Sequence, residues 1–318
     1  MLGTVRRSGS QVLGFGAAQP TATTTSEELG APFGKAGSWV ETRTGIRSVR
    51  RAGTGAELNE LALQAGMQAL QAAGVDEHEV DLVITASCSV ANGPGDHGTL
   101  ASGLARTAPR MHLNSACSGF CYALSTADDA IRTGAARYVL VVAAELMSSL
   151  VDPADLGTSI LFADGAGAAV VGPAGASPGV GPAVWGSDGS QSQLIDCGAV
   201  AGGKLTMAGS QVFRWAVEHM PAVALDACRR AGVQIGDIDV FVPHQANKRI
   251  VDAISDKLGL GDTVIADSVI VSGNTSAASI PIAVVDLARR GLTTAGQLAL
   301  LVGFGAGLSF AGQVIRLP

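Results

Sequence analysis

The chain has 318 residues, 47% hydrophobic and only 15% charged, which supplies a large core and excludes the composition of a disordered segment. A formal charge of −6, with 8 Phe, 3 Trp and 2 Tyr, excludes the basic face and stacking platforms of a nucleic-acid binder. Five cysteines without a Cys-x-x-Cys pair fit neither a disulfide framework nor a zinc site, so each thiol is read as reduced, either core filler or nucleophile.

Arg6 and Arg7 precede Val12 to Ala18, whose glycines suit a first strand and turn better than a signal core. Thr54 with Glu57 three residues later has the form of a capping box. The apolar spacing of Leu58, Leu61, Ala65, Ala69 and Ala72 predicts a helix from about 56 to 73, stopped at Gly74. Asp81 then introduces Leu82, Val83 and Ile84, a short apolar run of the kind buried on both faces of a sheet. Met111 to Leu113 read as a strand, followed by a helix closing at Gly134 and a strand from Tyr138 to Ala143. Asp164 to Ala168 is glycine-containing but lacks the lysine of a phosphate loop, and reads as a structural turn with Asp164 bonded to backbone. From about 173 to 206 the chain is rich in Gly, Ser and Pro and reads as a joining loop with at most short strands.

The second half echoes the first. Ala231-Gly232-Val233 ends another apolar helix and Asp239 introduces another strand; Ala73 and Ala231, like Asp81 and Asp239, stand 158 residues apart. Val264 to Val271 reads as a further strand, Ala288 to Gly291 as a helix end and Leu298 to Val302 as a strand, again at nearly that offset. Strands alternating with helices predict mainly parallel sheet covered by helices. The duplication predicts a layered α/β protein of two pseudo-twofold-related halves, 1–173 and 174–318. Its longest apolar stretch, Leu298 to Phe310, is shorter than the roughly 20 residues a bilayer requires. No membrane span and a cytoplasmic protein are expected.

Cys117 stands in Asn114-Ser115-Ala116-Cys117-Ser118-Gly119-Phe120, between a strand and a helix. A thiol at a helix N-terminus gains from the partial positive charge there, which favours the thiolate; small neighbours allow the sharp turn that exposes a nucleophile. The alternative is a small buried apolar residue. His244, in Pro243-His244-Gln245-Ala246-Asn247, follows a buried-looking strand, where sites in open α/β sheets gather, although for a lone histidine a surface residue capping the following helix is the commoner case. His78, His97, His112 and His219 lack any such setting. Asn274, in Gly273-Asn274-Thr275-Ser276-Ala277, is by itself a good helix N-cap. It lies 157 residues from Cys117, so the repeat makes it the expected counterpart of the thiol and brings both helix starts to the molecular centre with His244 nearby. Gly303 to Gly307 lacks a following helix and reads as a strand-end turn whose amides can serve an oxyanion.

Trp39 with Arg43-Thr44-Gly45-Ile46-Arg47, the Cys117 turn, Val242 to Asn247, Gly273 to Ala278 and Gly303 to Gly307 together resemble β-ketoacyl-acyl-carrier-protein synthase III, over nearly the whole chain and in family order. The resemblance implies a thiolase-like α-β-α-β-α fold and a homodimer. It implies a Cys117, His244 and Asn274 triad, and substrates rather than a resident cofactor or metal. Cys117 would take an acyl group from acyl-CoA, with the oxyanion held by the backbone amides of Cys117 and Ala306. His244 and Asn274 would then donate to the thioester oxygen of a malonyl-acyl carrier protein as it loses CO₂ and its carbanion attacks the acyl-cysteine. This would prime fatty-acid or polyketide synthesis. Trp39 and Arg43 would contact the CoA nucleotide, Asn247 the pantetheine arm, and Phe304 would sit at the pocket mouth. Arg214, Lys248, Arg249 and Lys257 offer a basic rim for the acidic carrier protein, or simply a solvated face.

Two positions depart from the family pattern. Leu156 stands where Arg is frequent, removing one grip on adenine, and Val90 to His97 is small where relatives place an aromatic that closes the acyl pocket. An acyltransferase acting on an alcohol or amine is a second reading, against which Asn274 weighs. A non-catalytic partner subunit is a third, against which Cys117 weighs. A thiolase would need a second catalytic cysteine late in the chain, and none follows Cys228. A hydroxymethylglutaryl-type synthase would need a glutamate base, for which Glu145 is the nearest candidate at an unconvincing spacing.

Overall fold

The computed structural model describes residues 9–90, 100–196 and 203–318. The departure at Val90 to His97 therefore lies almost wholly outside the described residues. The first half supplies strands β1 (Ser10–Ala18), β2 (Leu82–Ala86), β3 (Arg110–Leu113), β4 (Val139–Leu146) and β5 (Asp164–Pro173), with helices α1 (Gly55–Ala73) and α2 (Gly119–Arg132). The second supplies β6 (Val184–Ser187), α3 (Gly209–Ala231), β7 (Val240–Pro243), α4 (Lys248–Leu258), β8 (Val264–Ile265), α5 (Ser279–Arg289), β9 (Leu298–Gly305) and β10 (Ser309–Arg316).

The strands order as β1-β5-β4-β2-β3 in one sheet and β6-β10-β9-β7-β8 in the other, the same arrangement used twice. Each sheet pairs β2 with β3 and β4, or β7 with β8 and β9, in parallel; its remaining two pairings are antiparallel. The sheets are thus mixed rather than mainly parallel, because β5 and β10 run back antiparallel along β4 and β9, β10 after the short turn Ala306–Leu308 and β5 after the longer segment 147–163.

α2 and α5 lie between the sheets. Phe120, Leu124 and Ile131 of α2 share one core with Ile280, Ala283 and Leu287 of α5, Val141 of β4 and Val242 of β7. α1 covers the outer face of the first sheet, and α3 with α4 that of the second. The layers run α-β-α-β-α. α1 starts where its sequence predicts: Thr54 Oγ1 accepts from Glu57 N–H at 3.3 Å, and Glu57 reaches back to Gly53 N–H at 2.6 Å. Gly74 and Gly232 end α1 and α3 in the left-handed conformation that favours glycine.

Two segments differ from expectation. Asp164 to Ala168 opens the buried strand β5 and is not a turn, although Asp164 does bond backbone, accepting from Ala52 N–H and Ser148 N–H at 2.8 Å each. Of Val264 to Val271, only Val264 and Ile265 are strand; the chain leaves the sheet after Ala266 donates to Phe241 O, and Val269–Ser272 forms a helical turn.

Candidate active site

Between β3 and α2 the chain makes a tight 3-10 turn, Ala116–Ser118, with Ala116 at a φ of 45°. Such a backbone is costly for a side-chain-bearing residue and persists only where its surroundings hold it. Here Ser118 donates to Ser115 O from both N–H (3.1 Å) and Oγ (2.7 Å). Ser309 Oγ lies within hydrogen-bond distance of Ser118 Oγ, Ser115 O and Ala306 O, tying the Cys117 turn to the one that follows β9. Gly305 allows that approach, since a Cβ there would stand 2.7 Å from Cys117 N. Cys117 itself is half-buried at the start of α2.

His244 leaves the end of β7 with only 2% of its surface exposed. Its N–H donates to Val302 O at 2.7 Å, its ring meets Phe304 edge-on at 5.4 Å, and its Nδ1 lies 2.8 Å from Ser279 Oγ. Ser279 Oγ also accepts from Gln245 N–H at 3.3 Å, so the hydroxyl bridges the ring and that backbone amide. Burial pulls its pKa from 6.5 down to about 3, so the ring is neutral at physiological pH.

Asn274 is gripped through its backbone by the first half: its N–H donates to Leu161 O (2.9 Å) and its carbonyl accepts from Ala163 N–H (2.8 Å). Its Oδ1 accepts from Ser276 N–H at 2.9 Å, leaving the side-chain NH₂ as the group's donor. Gly273, at a φ of 75°, has no room for a Cβ against Ala163 and Val49.

Cys117, His244 and Asn274 all line one cavity of about 680 Å³, in the size range of a small-molecule site. Ala306, Phe304, Trp39, Arg43, Asn247, Leu156, Arg214 and Arg249 line it too. Phe304 is buried against His244 rather than at the mouth, because β9 continues through Gly305 and keeps that side chain inside. Trp39 is partly exposed beneath Lys35, and Asn247 caps α4 by accepting from Ile250 N–H at 3.0 Å. Arg249 lies over the Phe213 ring and donates to Arg43 O. Lys248 and Lys257 do not line the cavity; Lys248 pairs with Asp252 one turn along α4. Residues that sequence reasoning missed include Ser279, which sets the imidazole, and Cys88 and Met147 in the cavity wall; none carries a motif signal of its own. Glu145 is fully buried and, unlike Cys117, His244 and Asn274, is not among the lining residues.

Family models for 3-oxoacyl-[acyl-carrier-protein] synthase III match residues 111–189 and, for its C-terminal part, residues 228–317. The β-ketoacyl-acyl-carrier-protein synthase III 4 of Streptomyces coelicolor is 42% identical, over 98% of this chain and 99% of its own length. The chain belongs to the β-ketoacyl-acyl-carrier-protein synthase III family. It shares the thiolase-like fold and the acyl-transferring, condensing character of these synthases. A mycobacterial synthase III from Mycobacterium avium is 40% identical over 96% of this chain and 95% of its own. Among solved structures, the priming β-ketosynthase of a polyketide pathway superposes with a TM-score of 0.94 at 41% identity, covering 100% of this chain and 98% of that one. The synthase III of Pseudomonas aeruginosa superposes with a TM-score of 0.91 at 34% identity, covering 98% of each. Among the described residues no helix is long and apolar enough to cross a membrane, and no group of three His, Cys, Asp or Glu could hold a metal.

Proposed function

We propose that this synthase III condenses an acyl-CoA with malonyl-acyl carrier protein through Cys117, His244 and Asn274, priming a fatty-acid or polyketide chain. The observation that carries the reading is that these three side chains, from three separate turns of both halves, line a single cavity. The Cys117 thiolate attacks the acyl thioester carbon, the oxyanion is held by the amides of Cys117 and Ala306, and CoA thiolate departs. In the second step the malonyl C–C bond breaks, CO₂ leaves and the electron pair moves into an enolate. Its oxygen takes hydrogen bonds from His244 Nε2–H and the Asn274 NH₂. The enolate carbon then attacks the acyl-cysteine carbonyl, and the Cys117 thiolate is released.

The neutral imidazole supports this division of labour. In this reading the Ser279 hydroxyl donates to Nδ1 and the ring proton sits on Nε2, from which a ring with a pKa near 3 donates at every working pH without becoming a cation. No carbon-bound proton is removed, so the reaction needs neither a base nor a resident cofactor. Trp39, Arg43 and Asn247 line the cavity and are read as the residues that take the CoA and pantetheine arms; Arg214 and Arg249 are the rim residues that line it. The remaining rim residues, Lys248 and Lys257, are read as outlying contacts for the acidic carrier protein. A homodimer is part of the reading; strand β3 is a sheet edge and carries exposed Met111.

The test is a comparison of half-reactions. Cys117→Ala is expected to abolish the gain of acyl mass on incubation with acyl-CoA, while His244→Ala and Asn274→Ala still acylate but release CO₂ from malonyl-acyl carrier protein at least about a hundredfold more slowly. Full condensation by Asn274→Ala would overturn its role.

A further inference from the structure

The two halves can be aligned bond by bond near the site. Asp81 N–H donates to Tyr138 O at 2.9 Å as Asp239 N–H donates to Leu298 O at 3.0 Å, which sets Tyr138 against Leu298 and therefore Glu145 of β4 against Gly305 of β9. The 3-10 turns Ala116–Ser118 and Ser276–Ala278 lead into α2 and α5 at the same spacing, which sets Cys117 against Ala277. In the second sheet Gly305 packs its backbone against the Cys117 amide, where a Cβ would stand 2.7 Å from the nitrogen. In the first, the counterpart residue is Glu145, whose side chain reaches the counterpart amide: Ala277 N–H donates to its Oε1 at 3.4 Å.

We propose that Glu145 is a positioning residue for decarboxylation: a buried carboxyl group that takes the silent half's counterpart of the Cys117 amide and thereby fixes the turn that aims Asn274. It rests on the reading of Asn274 as a thioester donor. The groups around Glu145 are donors. Oε2 accepts from Ser87 Oγ (2.9 Å), Ser89 Oγ (2.6 Å) and the N–H groups of Cys88 and Ser89 (3.1 Å each). Ser89 Oγ itself accepts from Leu146 N–H at 2.7 Å, so its proton is committed to the carboxylate. Such a nest needs an acceptor-only group; an amide would set its NH₂ against backbone N–H whichever way it turned.

The consequence falls on Asn274. Ser276 sits at a φ of 48°, a costly conformation that its surroundings must enforce, and it is the residue whose N–H holds Asn274 Oδ1. Glu145 accepts from the next residue, and Sγ of Cys88, whose N–H also bonds the Glu145 carboxyl, lies 3.5 Å from Ser276 Oγ. Loss of the carboxylate lets Ser276 relax, frees Oδ1 and allows the Asn274 amide to turn its oxygen toward the substrate. The Cys117 turn, held by Ser118 and Ser309, contains none of these bonds.

The experiment measures both half-reactions in Glu145→Gln, in the milder Ser87→Ala, which removes one donor, and in Asn274→Ala. Acylation of Cys117 by acyl-CoA is expected to stay within about threefold of wild type, while CO₂ release from malonyl-acyl carrier protein by the pre-acylated enzyme drops by about tenfold to a hundredfold in Glu145→Gln and less in Ser87→Ala. Should Glu145→Gln fail to fold, the same split in Ser87→Ala supports the proposal, and an unsplit or absent effect there overturns it. An equal loss in both half-reactions, or none, in Glu145→Gln also overturns it. Loss in Asn274→Ala without loss in the other two overturns the role of Glu145 alone, whereas unimpaired decarboxylation by Asn274→Ala removes the reading of Asn274 and this proposal with it.

Discussion

Asn114 and Asn274 close the same turn in the two halves: Asn114 Oδ1 accepts from Ala116 N–H at 3.3 Å, and Asn274 Oδ1 from Ser276 N–H at 2.9 Å, 160 residues further on. Asn114 is exposed and absent from the cavity wall, whereas Asn274 is buried in it. One turn motif has therefore been put to two uses, carrying the nucleophile three residues on in the first half and supplying the amide itself in the second.

Close approach of Gly305 to Cys117 makes that glycine a condition for the first half-reaction. Gly305→Ala is expected to slow acylation by about a hundredfold, because the added methyl displaces the Cys117 amide from the oxyanion. The rate of acyl mass gain by the intact protein checks this.

Ser279 is expected to matter through His244 alone. Ser279→Ala removes the partner of Nδ1, lets the proton leave Nε2 and lowers CO₂ release by about tenfold or more with acylation unchanged. Half-reaction kinetics on the purified variant provide the check.

Acid sensitivity follows from the buried imidazole. Its pKa is lowered from 6.5 to about 3 in the fold, so the unfolded chain binds the extra proton first. Stability associated with His244 is present above pH 6.5 and is lost as pH drops toward 3, with a slope of up to about 1.4 kcal/mol per pH unit from this group. Chemical denaturation from pH 7 to 4, with His244→Gln expected to flatten the profile, measures it. The decarboxylation rate should show no inflection near pH 6.5.

Leu156 bears on the acyl donor. Leu156→Arg adds a cation to the cavity wall and is expected to lower KM for acyl-CoA by about fivefold while leaving acyl-pantetheine, which lacks the nucleotide, unchanged. Parallel steady-state assays with the two donors distinguish the cases.

Much of the fold was legible because burial and turn chemistry leave marks in a single chain: the Thr54 cap, the Gly74 and Gly232 stops and the paired Asp81 and Asp239. The equivalence of Cys117 with Asn274 was not, because the repeat drifts from 158 to 160 as loop lengths differ; the true counterparts are Asn114 with Asn274 and Cys117 with Ala277. Asp164 to Ala168 resembled a turn because small residues carry little strand propensity, yet a Cβ at Gly167 would collide with Pro281 of α5, so smallness there serves sheet-to-helix packing. Ser279 escaped notice, and Glu145 was weighed only as a base, since their importance lies in what folding sets against them, His244 in one case and a nest of donors in the other.

The most direct measurement is a single turnover. Enzyme loaded with an isotope-labelled acyl group and freed of acyl-CoA is mixed with malonyl-acyl carrier protein, and label, carrier mass and CO₂ are followed together. The expected result is transfer of the label from Cys117 to a β-ketoacyl-carrier product with one CO₂ released per label transferred. Label that stays on Cys117, or that reaches the carrier without loss of CO₂, would contradict a condensing role for the Cys117, His244 and Asn274 cavity.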